Sequence, residues 1–339
     1  QVQLIKTGKV GEGNLVENKD APIPSVEEGE VLLKVEACGI CYRDIIDREG
    51  GNSFVSTPIT LGHEIAGTVY ESKVPQWKKG DRVVVLHGAP CGECEYCING
   101  HSPRCIVNAG YYYGMLKDGG YQDYVSVHHK SLVSLPKEIS FEDGSFMCCT
   151  AAVSLRAMKL ANIKKGDKIL ITGCTGGVGV HAIQIAVALG AMTICITSNP
   201  KKVPLLIALG AHRVIVSNDN KFHRKVLSEV GPVDIVLELV GGPTFQSSFM
   251  SVKPTGTIVV VGNISVGNVA LRLGRLILTE TKIIGSSGAT PEDVKQVLDM
   301  ITEKKLIPVI ADRLPLTVEG INSAHQKLQN KSIFGRIVI

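Results

Sequence analysis

The 339-residue sequence has no basic run, no long apolar stretch, no internal repeat and no low-complexity tract. Most of these absences remove a class of protein. The net charge of +4 is small and spread along the chain, so nucleic acid is not an expected partner. No uninterrupted apolar segment reaches the ~18 residues that suggest a membrane span, so no membrane partner is expected either. The opening QVQLIKTGKV lacks the apolar run of a secretory signal, although a mature form could have lost one. Cysteine, by contrast, is not scarce. Ten cysteines could mean disulfides, but they are clustered or sit in apolar strands, and a chain this long needs no staples. A reducing cytoplasm, with some thiols on metal, fits better.

The composition, 44% hydrophobic and 20% charged, is ordinary for a globular protein, and the length suggests two domains. Up to about residue 146 the chain reads as short strands broken by turns: EVLLKVEACGIC, EIAGTVYES, GDRVVVL and YQDYVSV. The texture then changes. DKILITG, MTICIT, HRVIVS, VDIVLELVGG, TGTIVVVGN and TKIIGSSG are apolar strands, several of them separated by helix-length segments such as GVGVHAIQIAVALGA and PKKVPLLIALGA. Continuous apolar strands alternating with helices indicate a parallel sheet covered on both faces. After about 287 the pattern is one helix, PEDVKQVLDMITEKK, and a terminal strand, FGRIVI. The expected fold class is α/β: a β-rich domain and a doubly wound parallel-sheet domain.

Cys91, Cys94, Cys97 and Cys105 are spaced C-x2-C-x2-C-x7-C. Zinc in a structural role takes four protein ligands in this way. Two-residue spacings suit multiple disulfides poorly, and the seven-residue last step differs from the bacterial ferredoxin pattern. A closed tetrathiolate leaves no place for substrate, so this lobe answers a folding question and the chemistry lies elsewhere.

Two further stretches, CGICYRD at 38–44 and LGHE at 61–64, are each weak alone. Together with the cysteine lobe, DGGYQDYV and the glycine turn TGGVG, they make the chain resemble the zinc-containing medium-chain dehydrogenase/reductase family, the alcohol dehydrogenase type, over essentially its whole length. The resemblance implies a GroES-like catalytic domain from 1–148 and 288–339, around a Rossmann dinucleotide-binding domain from 149–287. It implies a catalytic zinc held by Cys41, His63 and a third cysteine, with water or substrate in the open position. Matching SLRA to the family's linker selects Cys149, and Cys148 is the alternative if the linker differs by one residue. Glu64 is expected in or beside that coordination sphere, and Asp44 is expected to orient the histidine through its other nitrogen.

The turn Cys174, Thr175, Gly176, Gly177, Val178, Gly179 lies between an apolar strand and a helix, the context dinucleotide binding requires. Gly176 would let backbone approach pyrophosphate, Gly179 would allow close helix–strand packing, and the usual first glycine falls at Cys174. At the end of the next strand the carboxylate that bonds ribose hydroxyls in NAD enzymes is replaced by Thr197, followed by Ser198, Asn199, Lys201 and Lys202. Hydroxyl and ammonium donors without a carboxylate favour a 2′-phosphate, hence NADP(H) over NAD(H). Val240, Gly262 and Asn263 complete the cofactor residues that the resemblance implies.

The family pattern breaks at Arg43. Alcohol dehydrogenases commonly carry a Ser or Thr there and often a histidine three residues on, as a proton path; this chain has Arg43 and Ile46. Arginine cannot pass protons near neutral pH. CYRD instead resembles a branch that includes archaeal acryloyl-coenzyme A reductases, and so do VGGPTFQSSF and VGNISVGNVALRLGRLIL. The expected activity is therefore hydride transfer between NADP(H) and an alcohol/aldehyde or related carbonyl. The alternatives are an NADPH-dependent enoyl-thioester reductase and a non-catalytic nucleotide-binding protein. The expected partners are a small-molecule substrate and further copies of the chain in a homodimer or homotetramer, joined through the edge strand TKIIGS.

Overall fold

The structure is a computed structural model and describes residues 1–339. Contacts divide it into two compact units, Gln1–Ala152 with Gly288–Lys304 and Ile310–Ile339, and Val153–Ser287 with Lys305–Val309. Residues 149–152, expected with the nucleotide domain, pack with the β-rich unit instead, and Lys305–Val309 return to the other unit.

The first unit is the GroES-like, β-rich part. Its seven-stranded sheet runs in the order Ile310–Arg313, Arg336–Val338, Glu30–Ile40, Glu64–Ser72, Arg82–Val85, Leu132–Ser134, and Tyr124–His128 also pairs with Glu30–Ile40. The long strand Glu30–Ile40 is the hub. Its Val31, Leu33 and Ile40 are fully buried in one cluster with Ile65, Val83, Val85, Val125 and Ile337. Fully burying such a side chain contributes about 1.5–3 kcal/mol, so this cluster fixes the strand register. The pairs Gly39–Glu64 and Ile40–Ile337 set three strand ends side by side.

The sequence pattern after 287 is corrected by the structure. Besides the helix Pro291–Thr302 and the strand Arg336–Val338, it contains a strand, Ile310–Arg313, and a helix, Val318–Gln329. That helix carries Gly320 and Asn322 in its first turns, which lowers its intrinsic propensity. It is held by burying Ile321, Ala324 and His325, and Thr317 caps it by accepting from the amide of Gly320.

The second unit is the Rossmann-type part. Six strands run parallel in the order Arg213–Val216, Met192–Thr197, Lys168–Ile171, Val233–Glu238, Val252–Val260, Lys282–Gly285. The order reverses between Lys168–Ile171 and Val233–Glu238, and open α/β sheets bind ligands outside the strand ends at such a reversal. The helix Gly177–Ala188 follows the first strand directly. Its Val180, Ala182, Ile183, Ile185 and Ala186 are fully buried.

Candidate active site and metal centres

In the lobe, the sulfurs of Cys91, Cys94, Cys97 and Cys105 all lie within 4.8 Å of one another, and none of these cysteines is in a disulfide. Cys91 Sγ accepts from the amides of Glu93 and Cys94, at 3.3 and 3.2 Å, and Cys105 Sγ accepts from the amide of Cys91 at 3.3 Å. Amides aimed at sulfur favour thiolate, the form a metal takes. This donor set fits a closed tetrahedral zinc site.

A second cluster forms where the three strand ends meet. Cys41 directly follows Glu30–Ile40 and is the N-cap of the helix Tyr42–Arg48. His63 and Glu64 stand at the start of Glu64–Ser72, and Cys149 lies in a turn where its amide donates to Phe146 O at 3.2 Å. The ligand atoms of Cys41, His63, Glu64 and Cys149 all lie within 4.8 Å of one another. His63 Nε2 is 3.4 Å from Cys149 Sγ, and the two sulfurs are 3.9 Å apart. Cys148 is buried and outside the cluster, so of the two adjacent cysteines it is Cys149 that reaches it.

The surroundings orient these donors. Asp44 Oδ1 is 2.9 Å from His63 Nδ1, so the ring donates there and leaves Nε2 facing the sulfurs. Asp44 Oδ2 accepts from the amide of Cys41 at 2.8 Å and from the hydroxyl of Tyr121 at 2.9 Å. Burial alone would raise the Asp44 pKa, but the His63 charge and hydrogen bond and the Arg43 charge hold it well below the carboxylate range. Glu64 is fully buried, and its carboxyl is pushed up to about 7 by burial against the opposing charge of Arg336. Arg336 NH2 lies 2.8 Å from Glu64 Oε1, yet neither Glu64 oxygen has a well-formed hydrogen bond. The hydrogen bond from Cys149 holds the Cys41 thiol well below the usual thiol range, and the same contact together with burial pushes Cys149 up. Two soft sulfurs, one oriented imidazole and a carboxylate with spare lone pairs fit a zinc ion.

Arg43 has an acidic neighbour. Its Nε is 3.3 Å from Asp47 Oδ2, and NH2 donates to Tyr113 O at 3.4 Å. The Asp47 side chain has no exposed surface, and Asn52 Nδ2 donates to its other oxygen at 2.8 Å.

Three residues here have no signature in the sequence. Tyr121 lies inside the quoted DGGYQDYV but carries no spacing of its own. Arg336 reaches Glu64 only because its strand pairs beside Ile40. His87, in the loop after Arg82–Val85, packs edge-on against His63 with ring centroids 5.0 Å apart. Its Nε2 is buried without a hydrogen-bond partner, and burial pushes its pKa well down.

In the second unit, Gly176 caps the helix Gly177–Ala188, and Thr175, Gly177 and Val178 lie with it at that N-terminus. The left-handed residue of the turn is Gly173, at φ +58°, one position before the glycine-equivalent Cys174. Cys174 turns inward, and its thiol donates to Ile196 O at 3.0 Å. A Cβ on Gly179 would meet Gly173 O and Cys174 Cα at 2.5 Å, so only glycine lets the helix lie this close. Thr197 ends its strand and its hydroxyl accepts from the amide of Asn199 at 3.1 Å, while Asn199 Oδ1 accepts from the amide of Lys201 at 3.0 Å. Ser198 is exposed, whereas Lys202 is largely buried and its pKa is lowered by burial. Val240, Gly262 and Asn263 stand just beyond the ends of the neighbouring strands Val233–Glu238 and Val252–Val260.

These two units, with a four-cysteine lobe and a separate cysteine–histidine–carboxylate cluster in the first of them, are those of a two-domain zinc oxidoreductase. Residues 27–137 match the alcohol dehydrogenase GroES-like domain, and residues 177–303 match the zinc-binding dehydrogenase family. The chain is 34% identical over 325 residues to an acryloyl-coenzyme A reductase of Sulfurisphaera tokodaii, covering 95% of each chain. It is 31% identical over 329 residues to an alcohol dehydrogenase of Geobacillus stearothermophilus, again covering 95% of each. The crystal structure of AibC superposes with a TM-score of 0.90 at 34% identity, over 99% of this chain and 94% of that one. The chain belongs to the zinc-binding, alcohol dehydrogenase-like family of medium-chain oxidoreductases.

Proposed function

We propose that the protein is a zinc-dependent, NADP(H)-linked oxidoreductase that exchanges a hydride with an alcohol/aldehyde or a related carbonyl. The observation that carries this reading is the convergence of Cys41, His63, Glu64 and Cys149 within 4.8 Å. A zinc ion there would supply Lewis acidity toward a substrate oxygen. Cys41, His63 and Cys149 would be its ligands, and Glu64, paired with Arg336, would stand beside them as a further carboxylate donor. Asp44 holds His63 in the one tautomer that presents Nε2. Cys91, Cys94, Cys97 and Cys105 hold a second, structural zinc. The dinucleotide sits on Cys174–Gly179 at the helix N-terminus. Thr197, Ser198, Asn199, Lys201 and Lys202 receive the 2′-phosphate, because no carboxylate stands at the end of Met192–Thr197.

A second reading, reduction of an enoyl thioester by NADPH, is favoured by Arg43. It stands where a hydroxyl proton path is common, and an acryloyl-coenzyme A reductase is among the relatives at 34% identity. The chain works in the cytoplasm as a homodimer or homotetramer, paired through the sheet-edge strand Lys282–Gly285. The test is a spectrophotometric screen of NADPH and NADH oxidation over aldehydes, ketones and enoyl thioesters, with zinc counted in the same samples. Turnover of carbonyls with NADPH and two zinc ions per chain is expected. Turnover of enoyl thioesters alone moves the assignment to the second reading, and turnover of neither overturns both.

A further inference from the structure

Glu238 is a fully buried carboxylate in the second unit, and no ion pair is formed by it. It ends the strand Val233–Glu238, on one side of the point where the strand order reverses; Thr172, just past Lys168–Ile171, stands on the other. Its Oε1 accepts from Thr172 Oγ1 at 2.7 Å, from the amides of Val240 and Gly241 at 2.9 Å each, and from Thr244 Oγ1 at 2.6 Å. Its Oε2 accepts from Ser248 Oγ. The backbone extends this knot: Thr172 Oγ1 accepts from the amide of Leu239 at 2.9 Å, the amide of Gly262 donates to Glu238 O at 3.1 Å, and that of Ile264 to Val240 O at 3.0 Å.

The side chain therefore ties two strand ends to the helix Gly242–Ser251, and the main-chain carbonyl of the same residue holds a third strand end through Gly262. A buried carboxyl group is costly unless it is hydrogen-bonded, and here hydroxyl and amide donors alone satisfy it. The residues it fixes, at 172, 240–241 and, through backbone, 262–264, border the crevice where a parallel sheet of this order takes its ligand. We propose that Glu238 is a positioning residue for the dinucleotide: it pre-sets the spacing of these loops so that binding need not order them. The inference rests on the nucleotide reading above. It assigns the role to the acceptor capacity of Oε1, which a glutamine oxygen would keep, with the amide nitrogen able to donate to Ser248 Oγ.

The experiment measures NADPH and NADH dissociation constants by nicotinamide fluorescence for the wild-type chain, Glu238→Gln and Glu238→Ala, with melting temperatures on the same samples. At a temperature where every variant is folded, Glu238→Ala should weaken dinucleotide binding by about tenfold or more, since several donors lose their acceptor. Glu238→Gln should bind within a few-fold of wild type, and zinc content should be unchanged in both. If Glu238→Ala does not fold, Thr172→Val and Thr244→Val, each removing one donor, decide the matter: weaker binding at unchanged melting temperature supports the role, and unchanged binding overturns it. A folded Glu238→Ala that binds like wild type also overturns the inference and leaves the nucleotide reading standing. A wild-type chain that binds neither dinucleotide overturns both.

Discussion

Asp44 bonds His63 Nδ1 and the backbone amide of Cys41 with its two carboxylate oxygens, at 2.9 and 2.8 Å. One side chain thus fixes the directions of two proposed ligands from different strands. Asp44→Asn keeps the shape and an acceptor for the Cys41 amide but removes the charge. Zinc affinity at this site, or kcat/KM, should fall about 10–100-fold, with the fold retained. Chelator competition and steady-state kinetics on the variant check this, and a variant within twofold of wild type in both would show that Asp44 is dispensable.

The two clusters should separate on mutation. Cys94→Ser breaks a closed site whose metal affinity is folding free energy, on the order of 10 kcal/mol in small zinc peptides, so an unstable or insoluble protein is expected. His63→Ala should fold, bind dinucleotide, and lose activity and one zinc. Metal analysis beside thermal melts measures both, and equal effects of the two substitutions would contradict separate roles.

Zinc uptake at the Cys41–His63–Cys149 cluster should depend steeply on pH. Burial and the Arg43 charge would lower the His63 pKa, but the Asp44 carboxylate and its hydrogen bond, with Cys41, push it up to about 9. The metal-free chain therefore carries a proton on His63 at neutral pH, and a metal must displace it. Affinity should rise with pH up to about 9 and fall about tenfold per unit below that for this proton alone, more with the thiols. Zinc titrations of metal-depleted protein in buffers across this range test the slope, and a flat profile would mean that His63 is already deprotonated.

Arg43→Ser restores the hydroxyl common in alcohol dehydrogenases but strands the buried Asp47 carboxylate. The variant should lose about 1–3 kcal/mol of stability, less than a fully buried pair would because Arg43 is 29% exposed, and Arg43→Ser with Asp47→Asn should recover most of it. If Arg43 also holds cofactor phosphate or an anionic substrate, the single and double variants both bind that ligand more weakly. Denaturant melts separate the first effect from ligand affinity, and full recovery of affinity in the double variant would make Arg43 purely structural.

Legibility from the sequence tracked how local each feature is. The cysteine lobe could be read because its four thiols sit within one short loop, where spacing alone limits the geometry. The six parallel strands were visible as continuous apolar runs. Cys41, His63 and Cys149 lie far apart, and only resemblance to a family joined them. Tyr121, His87, Arg336 and Glu238 are polar residues in strands or loops with no periodic signal, and their roles arise from strand register. The helix Val318–Gln329 has only a weak sequence signal because burial of Ile321 and Ala324, not propensity, holds it.

Strand Arg336–Val338 has a consequence for biosynthesis. Arg336, the counter-charge to Glu64, donates from NH1 to Ile40 O across 296 positions of sequence. The whole second unit is made between these two partners. A nascent chain therefore presents Cys41, His63 and Glu64 long before the residue that balances them, and domains generally fold as units during synthesis. The parallel sheet can close early, whereas the Cys41–His63–Glu64–Cys149 cluster gains its counter-charge only once the last strand is in place, so a metal bound there earlier would meet a carboxylate without its arginine.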